Sequence, residues 1–294
     1  MGVGWTGMRS WLLLAPLLAV MTAVIGWPFL HTIEVSFTDA RLLGGGAGNW
    51  VGLANYARVL TSAQFHAALL TTVQFVLITV TAEFVLGVLA ALLLDQPFAG
   101  RALLRALMIM PWALPTVVNA TMWRLIYNPD FGAFNATLTQ SGLLESYRSW
   151  LGEPGTALYA VCLADVWKNF PLVALISLAA LQAVPRELKA AAIIDGAGPW
   201  PRFRVVILPY LAGPLSVAIV LRMIEAFKVF DIIWVMTRGG PASTTKTVSI
   251  LVYQEAFSFQ RAGSGASVAL IMVLISAVMI AVYLSILRRQ AQVR

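Results

Sequence analysis

The stretch Pro185–Pro209, PRELKAAAIIDGAGPWPRFRVVILP, carries Arg186, Glu187, Lys189, Asp195, Arg202 and Arg204 between two long apolar runs. Its neighbours are far poorer in charge: across the 294 residues only 11% are charged and 60% are hydrophobic. Pro185 ends the helix before it, because proline cannot continue the backbone ladder. From Arg186 to Asp195 every residue is compatible with a helix, and Ala190, Ala191 and Ala192 are the best helix formers. Gly196 falls where that helix stops, since glycine adopts the left-handed conformation readily. Gly198-Pro199-Trp200-Pro201 redirects the chain, and Arg202–Leu208 leads to Pro209, a good first residue for the next helix. The stretch therefore reads as two short helices at an elbow between two membrane spans. Such a helix either lies amphipathically on the headgroups or offers its small Ala and Ile side chains to a groove on a partner.

Working outward, the composition places the chain in a bilayer, because a soluble domain carries about 25% charged residues. A bilayer core needs ~20 mostly apolar residues per helix. Six runs qualify, about 11–36, 66–94, 102–126, 156–183, 209–232 and 263–287. In lipid the backbone must satisfy its own hydrogen bonds, so these are helices and the fold class is all-α, polytopic, with six spans in one transmembrane domain. The first run is read as a retained span, not a cleaved leader, because no clear small-residue cleavage site follows it. Loop 185–208 then lies between spans four and five.

Lys and Arg set the orientation. Ten fall on one side (Arg9, Arg101, Arg105, Arg186, Lys189, Arg202, Arg204, Arg288, Arg289 and Arg294). Six fall on the other (Arg41, Arg58, Arg148, Arg238, Lys246 and Arg261). Both termini and the quoted stretch are thus expected in the cytoplasm. The outer loops, about 37–65, 127–155 and 233–262, hold the turn signals Gly44-Gly45-Gly46, Asn128-Pro129-Asp130 and Gly239-Gly240-Pro241. Trp123, Tyr127, Trp234 and Tyr253 sit near predicted boundaries, as interfacial aromatics do. The net charge of +7 is spread over span ends, which argues against nucleic acid as a partner. Cys162 is the single cysteine, and His31 and His66 lie far apart, so no metal-ligand spacing is present.

Read with its surroundings, the stretch resembles the cytoplasmic coupling loop of ABC importer permeases. The family pattern is roughly Glu-Ala-Ala, then Asp-Gly-Ala three residues on, a spacer, and Ile-x-Leu-Pro. Here stand Ala190-Ala191-Ala192, Asp195-Gly196-Ala197 and Ile207-Leu208-Pro209, preceded by Pro185-Arg186-Glu187-Leu188; Ala190 occupies the usual glutamate position, and the spacing before Leu-Pro is compressed. Asp165-Val166-Trp167-Lys168 with Pro171, Glu225-Ala226-Phe227-Lys228-Val229-Phe230-Asp231, and Gly239-Gly240-Pro241 with Thr247 are similar to the sugar-importing, maltose-type branch. The resemblance covers about residues 12–287. It implies a bacterial or archaeal inner-membrane permease that forms half of a translocation pathway. It also implies a second, similar permease, two ATPase subunits that hold ATP and Mg, an extracytoplasmic solute-binding protein and a di- or oligosaccharide cargo, with polyols or glycerol phosphate as the alternative. ATPase contact is implied for Glu187, Ala191, Ala192, Ile194, Asp195, Gly196 and Ala197.

Charged residues in spans cost a few kcal/mol each on insertion scales and need partners or a wet cavity. Asp165 and Lys168 share a helix face and can pair; Arg222, Glu225 and Lys228 are again spaced by three; Glu83 stands isolated. These groups either pair within their helices or line the path. Trp112, Asn119, Trp123, Trp167, Asn169, Phe230 and Trp234 combine flat faces with hydrogen-bonding groups that suit a sugar, or serve ordinary packing. Pro111, Pro115 and Pro171 are expected to kink spans three and four.

Two look-alikes fall away. Gly240–Thr247 nearly spells a phosphate loop, but Thr245 stands where the second glycine is needed. Gly263-Ser264-Gly265 lacks the order of a serine nucleophile elbow and better fits close helix packing. No catalytic set emerges, so the chain reads as a transporter subunit and not an enzyme. A stand-alone, ion-coupled secondary transporter is the competing class.

Overall fold

The computed structural model describes the backbone of residues 4–43 and 48–292, and the side chains of 13–43 and 48–285. The Gly44-Gly45-Gly46 turn and the side chains of Arg9, Arg288, Arg289 and Arg294 lie outside the described residues. Apart from one isolated bridge between Thr38 and Trp50, the described regular structure is helical. The chain divides into two compact units, Met1–Phe65 with Leu251–Leu274, and His66–Ile250 with Ile275–Arg294.

The first unit opens with α1 (Gly4–Met21), a π turn (Thr22–Gly26) and α2 (Trp27–Ser36), followed by α3 (Ala54–Thr61). Leu13–Ser36 is long and apolar enough to span, and its apolar side chains are exposed nearly throughout, as for a helix facing lipid. Asn55 organises the loop after it: its amide donates to the carbonyls of Ser36 and Thr38 at 2.9 and 2.8 Å. Gly263 packs here, and a Cβ on it would stand 1.9 Å from the Thr38 carbonyl oxygen. Gly265 likewise lies against Ala256, so the glycine-serine run serves close packing.

The second unit holds most of α4 (Ala63–Asp95), then α5 (Arg101–Ala113), α6 (Thr116–Ile126), α7 (Ala133–Gln140), α8 (Ala157–Gln182), α9 (Arg186–Ile194), α10 (Pro199–Arg202), α11 (Leu208–Phe227) and α12 (Asp231–Met236). α13 (Val248–Tyr253) follows, and α14 (Ala262–Gln292) starts in the first unit and ends in the second. Ala91 and Leu94 of α4, Val173, Leu178 and Leu181 of α8, and Leu211 and Leu215 of α11 form one buried cluster, with Met108 of α5 against it. Gly87 lets α4 approach α8 closely, since a Cβ there would meet Val173 at 2.7 Å.

Three boundaries differ from the sequence expectation. Span three is two helices, α5 and α6, bent by 99°; with this pair taken as one span the described helices make six. Leu114 is extended, as a residue before proline tends to be, so the break falls at Leu114-Pro115, while Pro111 and Pro171 remain inside unbroken helices. Span five starts at Pro199, not Pro209: α10 runs through a π turn (Phe203–Ile207) into α11. Pro209 has no N–H for the carbonyl four residues back, and the π winding precedes it. The same span stops at Phe227, and α12 is a separate short helix.

Candidate functional site

The helix expected over Arg186–Asp195 forms as α9, with Asp195 as its C-cap. Pro185, extended, precedes it, and α9 ends in a Schellman motif. The Ala197 N–H donates to the Ala192 carbonyl at 2.9 Å and the Gly196 N–H to the Ile193 carbonyl at 3.0 Å. Gly196 has φ +73°, the left-handed value this motif requires. No residue of α9 is buried, and Ile194 is 85% exposed. Glu187, Ala191, Asp195 and Gly196 are exposed as well, with Ala192 and Ala197 half-buried. An Ala- and Ile-rich surface is thus presented on a helix whose end is rigidly fixed.

One side chain of α9 turns back towards the spans. The Lys189 ammonium donates to Asp95 Oδ2 at 3.1 Å and to the Leu181 carbonyl at 3.3 Å. Arg105 Nη2 donates to the neighbouring Leu94 carbonyl at 2.6 Å. The loop after α4 and the loop holding α9 therefore share one end of the unit, as the grouping of their basic residues requires.

Within the spans, Arg222 of α11 is the centre of a charge cluster. Its Nε and Nη2 hold both oxygens of Glu83 on α4, each at 2.8 Å. Nη2 also reaches Asp165 Oδ2 of α8 at 3.4 Å, and Nη1 holds Glu225 at 2.7 Å. Glu83, Asp165 and Arg222 are buried, whereas the Glu225 side chain is 62% exposed. Asn169 adds a 3.1 Å hydrogen bond to Asp165. Glu83 is therefore not isolated: it makes the two-pronged pair that guanidinium geometry favours. Asp165 pairs across helices with Arg222 and not with Lys168, because the fork of Arg222 reaches it from α11. Of the Arg222, Glu225 and Lys228 triad only the first two pair; Lys228 is exposed, and among the described residues neither Lys168 nor Lys228 forms an ion pair. No short-range pattern signals Glu83–Arg222, whose partners lie 139 residues apart. The cost of an unpaired charge in a span was the available clue.

The aromatic candidates split into two groups. Asn119 and Trp123 are buried, Asn119 bonding to the Ala164 carbonyl at 3.3 Å, so they pack α6 on α8. Trp123 meets Trp167 edge-on at 5.9 Å and Tyr127 at 5.2 Å, and the series continues through Phe134 to Trp150. Trp150 is fixed by a 2.7 Å hydrogen bond to Asn135. Asn169 is also buried and committed to Asp165. Phe230 and Trp234 stack at 5.7 Å and are half-buried, with Arg238 over the Trp234 ring; Trp112 is exposed and stands apart. In the phosphate-loop look-alike, Thr245 is buried and its hydroxyl donates to the Gly240 carbonyl at 2.7 Å, and helix α12 precedes it where a strand is needed.

Together these features define a polytopic helical membrane protein with an exposed, capped helix between spans four and five. The chain belongs to the family described as binding-protein-dependent transport system inner membrane component, which matches residues 83–292. It is 41% identical to the trehalose/maltose transport system permease protein MalF of Thermococcus litoralis over 83% of this chain and 82% of that protein. It is 34% identical to the sulfoquinovosyl glycerol transport system permease protein SmoG of Agrobacterium fabrum over 94% of this chain and 89% of that one. The trehalose transport system permease protein SugA of Mycobacterium tuberculosis is 32% identical over 89% of this chain and 83% of its own length. A crystal structure of a bacterial ABC transporter involved in the import of the acidic polysaccharide alginate shares the fold, with a TM-score of 0.83 over 96% of both chains at 20% identity. Membership in this family makes the chain a multi-pass membrane transport component and sets aside the stand-alone ion-coupled class.

Proposed function

We propose that this chain is one of two permease subunits of an ATP-driven sugar importer and that α9 docks on a cytoplasmic ATPase. The single observation that carries this reading is α9 itself: a capped helix with no buried residue and with Ile193 and Ile194 exposed. Exposed apolar side chains on a rigid element are what a partner groove takes up. The ATPases hold ATP and Mg; this chain contributes no nucleotide site. Their closure displaces α9 as a rigid body and switches the pathway between inward- and outward-facing states, each favoured by a different ligand. Both termini and α9 face the cytoplasm, as the distribution of Lys and Arg supports. An extracytoplasmic solute-binding protein delivers the cargo.

The cargo we infer is a disaccharide of the trehalose or maltose kind, following the relatives named above. Phe230, Trp234, Trp167 and Trp112 remain the residues able to meet a sugar ring, because each keeps exposed surface. The test is reconstitution with the neighbouring ATPase and second permease in vesicles containing ATP, with the cognate binding protein outside. ATP-dependent uptake of labelled trehalose or maltose is expected. Uptake without ATP, or a binding protein that takes neither sugar, would overturn the mechanism or the cargo respectively.

A further inference from the structure

We propose that Lys189 and Asp95 form a strut that makes α4 move with α9, and that these two are positioning residues for coupling. The proposal rests on the reading of α9 as the ATPase-docking helix.

α9 has two covalent neighbours, α8 through 183–185 and the α10–α11 rod through 195–198. α4 is not one of them: Asp95 and Lys189 are 94 residues apart. Among the described residues, Lys189–Asp95 is the ion pair that ties α9 to a helix it does not adjoin in sequence. The ammonium sits where two helices end. Asp95 is the last residue of α4, and Leu181, whose carbonyl is the second acceptor, lies in the last turn of α8. Both ends carry the negative pole of a helix dipole, so a cation there gains from the carboxylate and from two sets of free carbonyls. The pair is shielded, with side chains 28% and 24% exposed, so it is screened less than a surface pair.

The surroundings fit a joint that transmits force between helices. Arg105 brings α5 to the same end through the Leu94 carbonyl. Directly behind stands the apolar cluster in which Leu94 and Ala91 of α4 meet Leu181 and Leu178 of α8 and Leu211 of α11. Farther along, α4 carries Glu83, twelve residues or about 18 Å away at the helical rise, which grips Arg222 of α11. A displacement of α9 is thus delivered at two points of α4, by the strut at its C-terminal end and by the Arg222 cluster twelve residues before it.

The test uses the full complex with both permeases and the ATPases, in a Cys162→Ser background. Spin labels go on exposed positions of the two helices outside the docking face, Leu89→Cys and Arg186→Cys, and their separation is read nucleotide-free and after trapping with ATP and vanadate. With the strut intact the separation is expected to stay the same in both states. In Asp95→Asn it is expected to differ between states by about 1–2 Å, the size of ordinary interface shifts. Substrate transported per ATP is expected to fall about fivefold, the low end of measured couplings between sites. The exchange Asp95→Lys with Lys189→Asp restores the charge pair and is expected to recover the fixed separation. If Asp95→Asn does not assemble, Lys189→Met carries the same test. A separation that changes with nucleotide in the unmodified pair overturns the strut, as does an Asp95→Asn complex indistinguishable from it. An unaltered chain that forms no complex with the ATPase would instead overturn the docking role of α9, and the strut with it.

Discussion

The Arg222 cluster and α9 invert the usual placement of residues. In the membrane core, four charged side chains from α4, α8 and α11 converge, three of them buried, and every acid meets the one guanidinium. On the surface, α9 leaves Ile193 and Ile194 exposed and none of its residues buried. The cluster is complete within this chain. The helix is complete only in shape: its cap and its strut are satisfied internally, and its apolar face is not. Buried charge here marks internal architecture, and exposed apolar surface on a rigid element marks an interface.

The comparison can be broken at several points. Arg222→Met leaves Glu83 and Asp165 buried without a cation, and loss of one member of such a set costs about 3–5 kcal/mol. The yield of folded chain in detergent should drop sharply, and adding Glu83→Gln should recover part of it. A full yield of the single variant would show that the cluster is dispensable. Next come two glycines. Gly87→Ala pushes a methyl against Val173 at 2.7 Å, and overpacking costs about 1–3 kcal/mol. Gly196→Val meets no neighbour within 4 Å but strains a left-handed residue by roughly 1–2 kcal/mol. The first should lower the unfolding midpoint of the isolated chain. The second should instead uncouple ATP hydrolysis from uptake; unchanged uptake per ATP in Gly196→Val would contradict the role given to α9. Smallest in its effect on the chain itself is Ile194→Asp. An exposed substitution changes stability by no more than about 0.5 kcal/mol, whereas binding to the ATPase should weaken at least tenfold, or about 1.4 kcal/mol. Equal losses in both would mean that Ile194 packs within the chain.

The legibility of these two regions in the sequence differs for a physical reason. α9 is readable to within one residue, Asp195 being its cap, because its signals are local: a proline before it, three alanines within it and a glycine at the left-handed position. The spans were readable by length and composition. What escaped depends on which helices meet. Glu83 looked isolated because its partner stands on α11, and Lys189–Asp95 joins residues no short window contains. Helix spacing suggested Asp165–Lys168, and tertiary packing supplied Arg222 instead. Trp123 and Asn119 have the chemistry of a sugar lining, and only the packing of α6 on α8 shows them enclosed. The break at Leu114-Pro115 was signalled by proline, but the same residue type leaves α8 and α11 unbroken, so proline alone could not place it.

The proposed motion of α9 comes from a cytosolic ATPase. The most direct test is a cysteine at position 193, in a Cys162→Ser background, probed with a membrane-impermeant maleimide. The account predicts no labelling in intact cells, ready labelling in inside-out vesicles stripped of ATPase, and protection when the ATPase is added back. Labelling from the outer face of intact cells would contradict it.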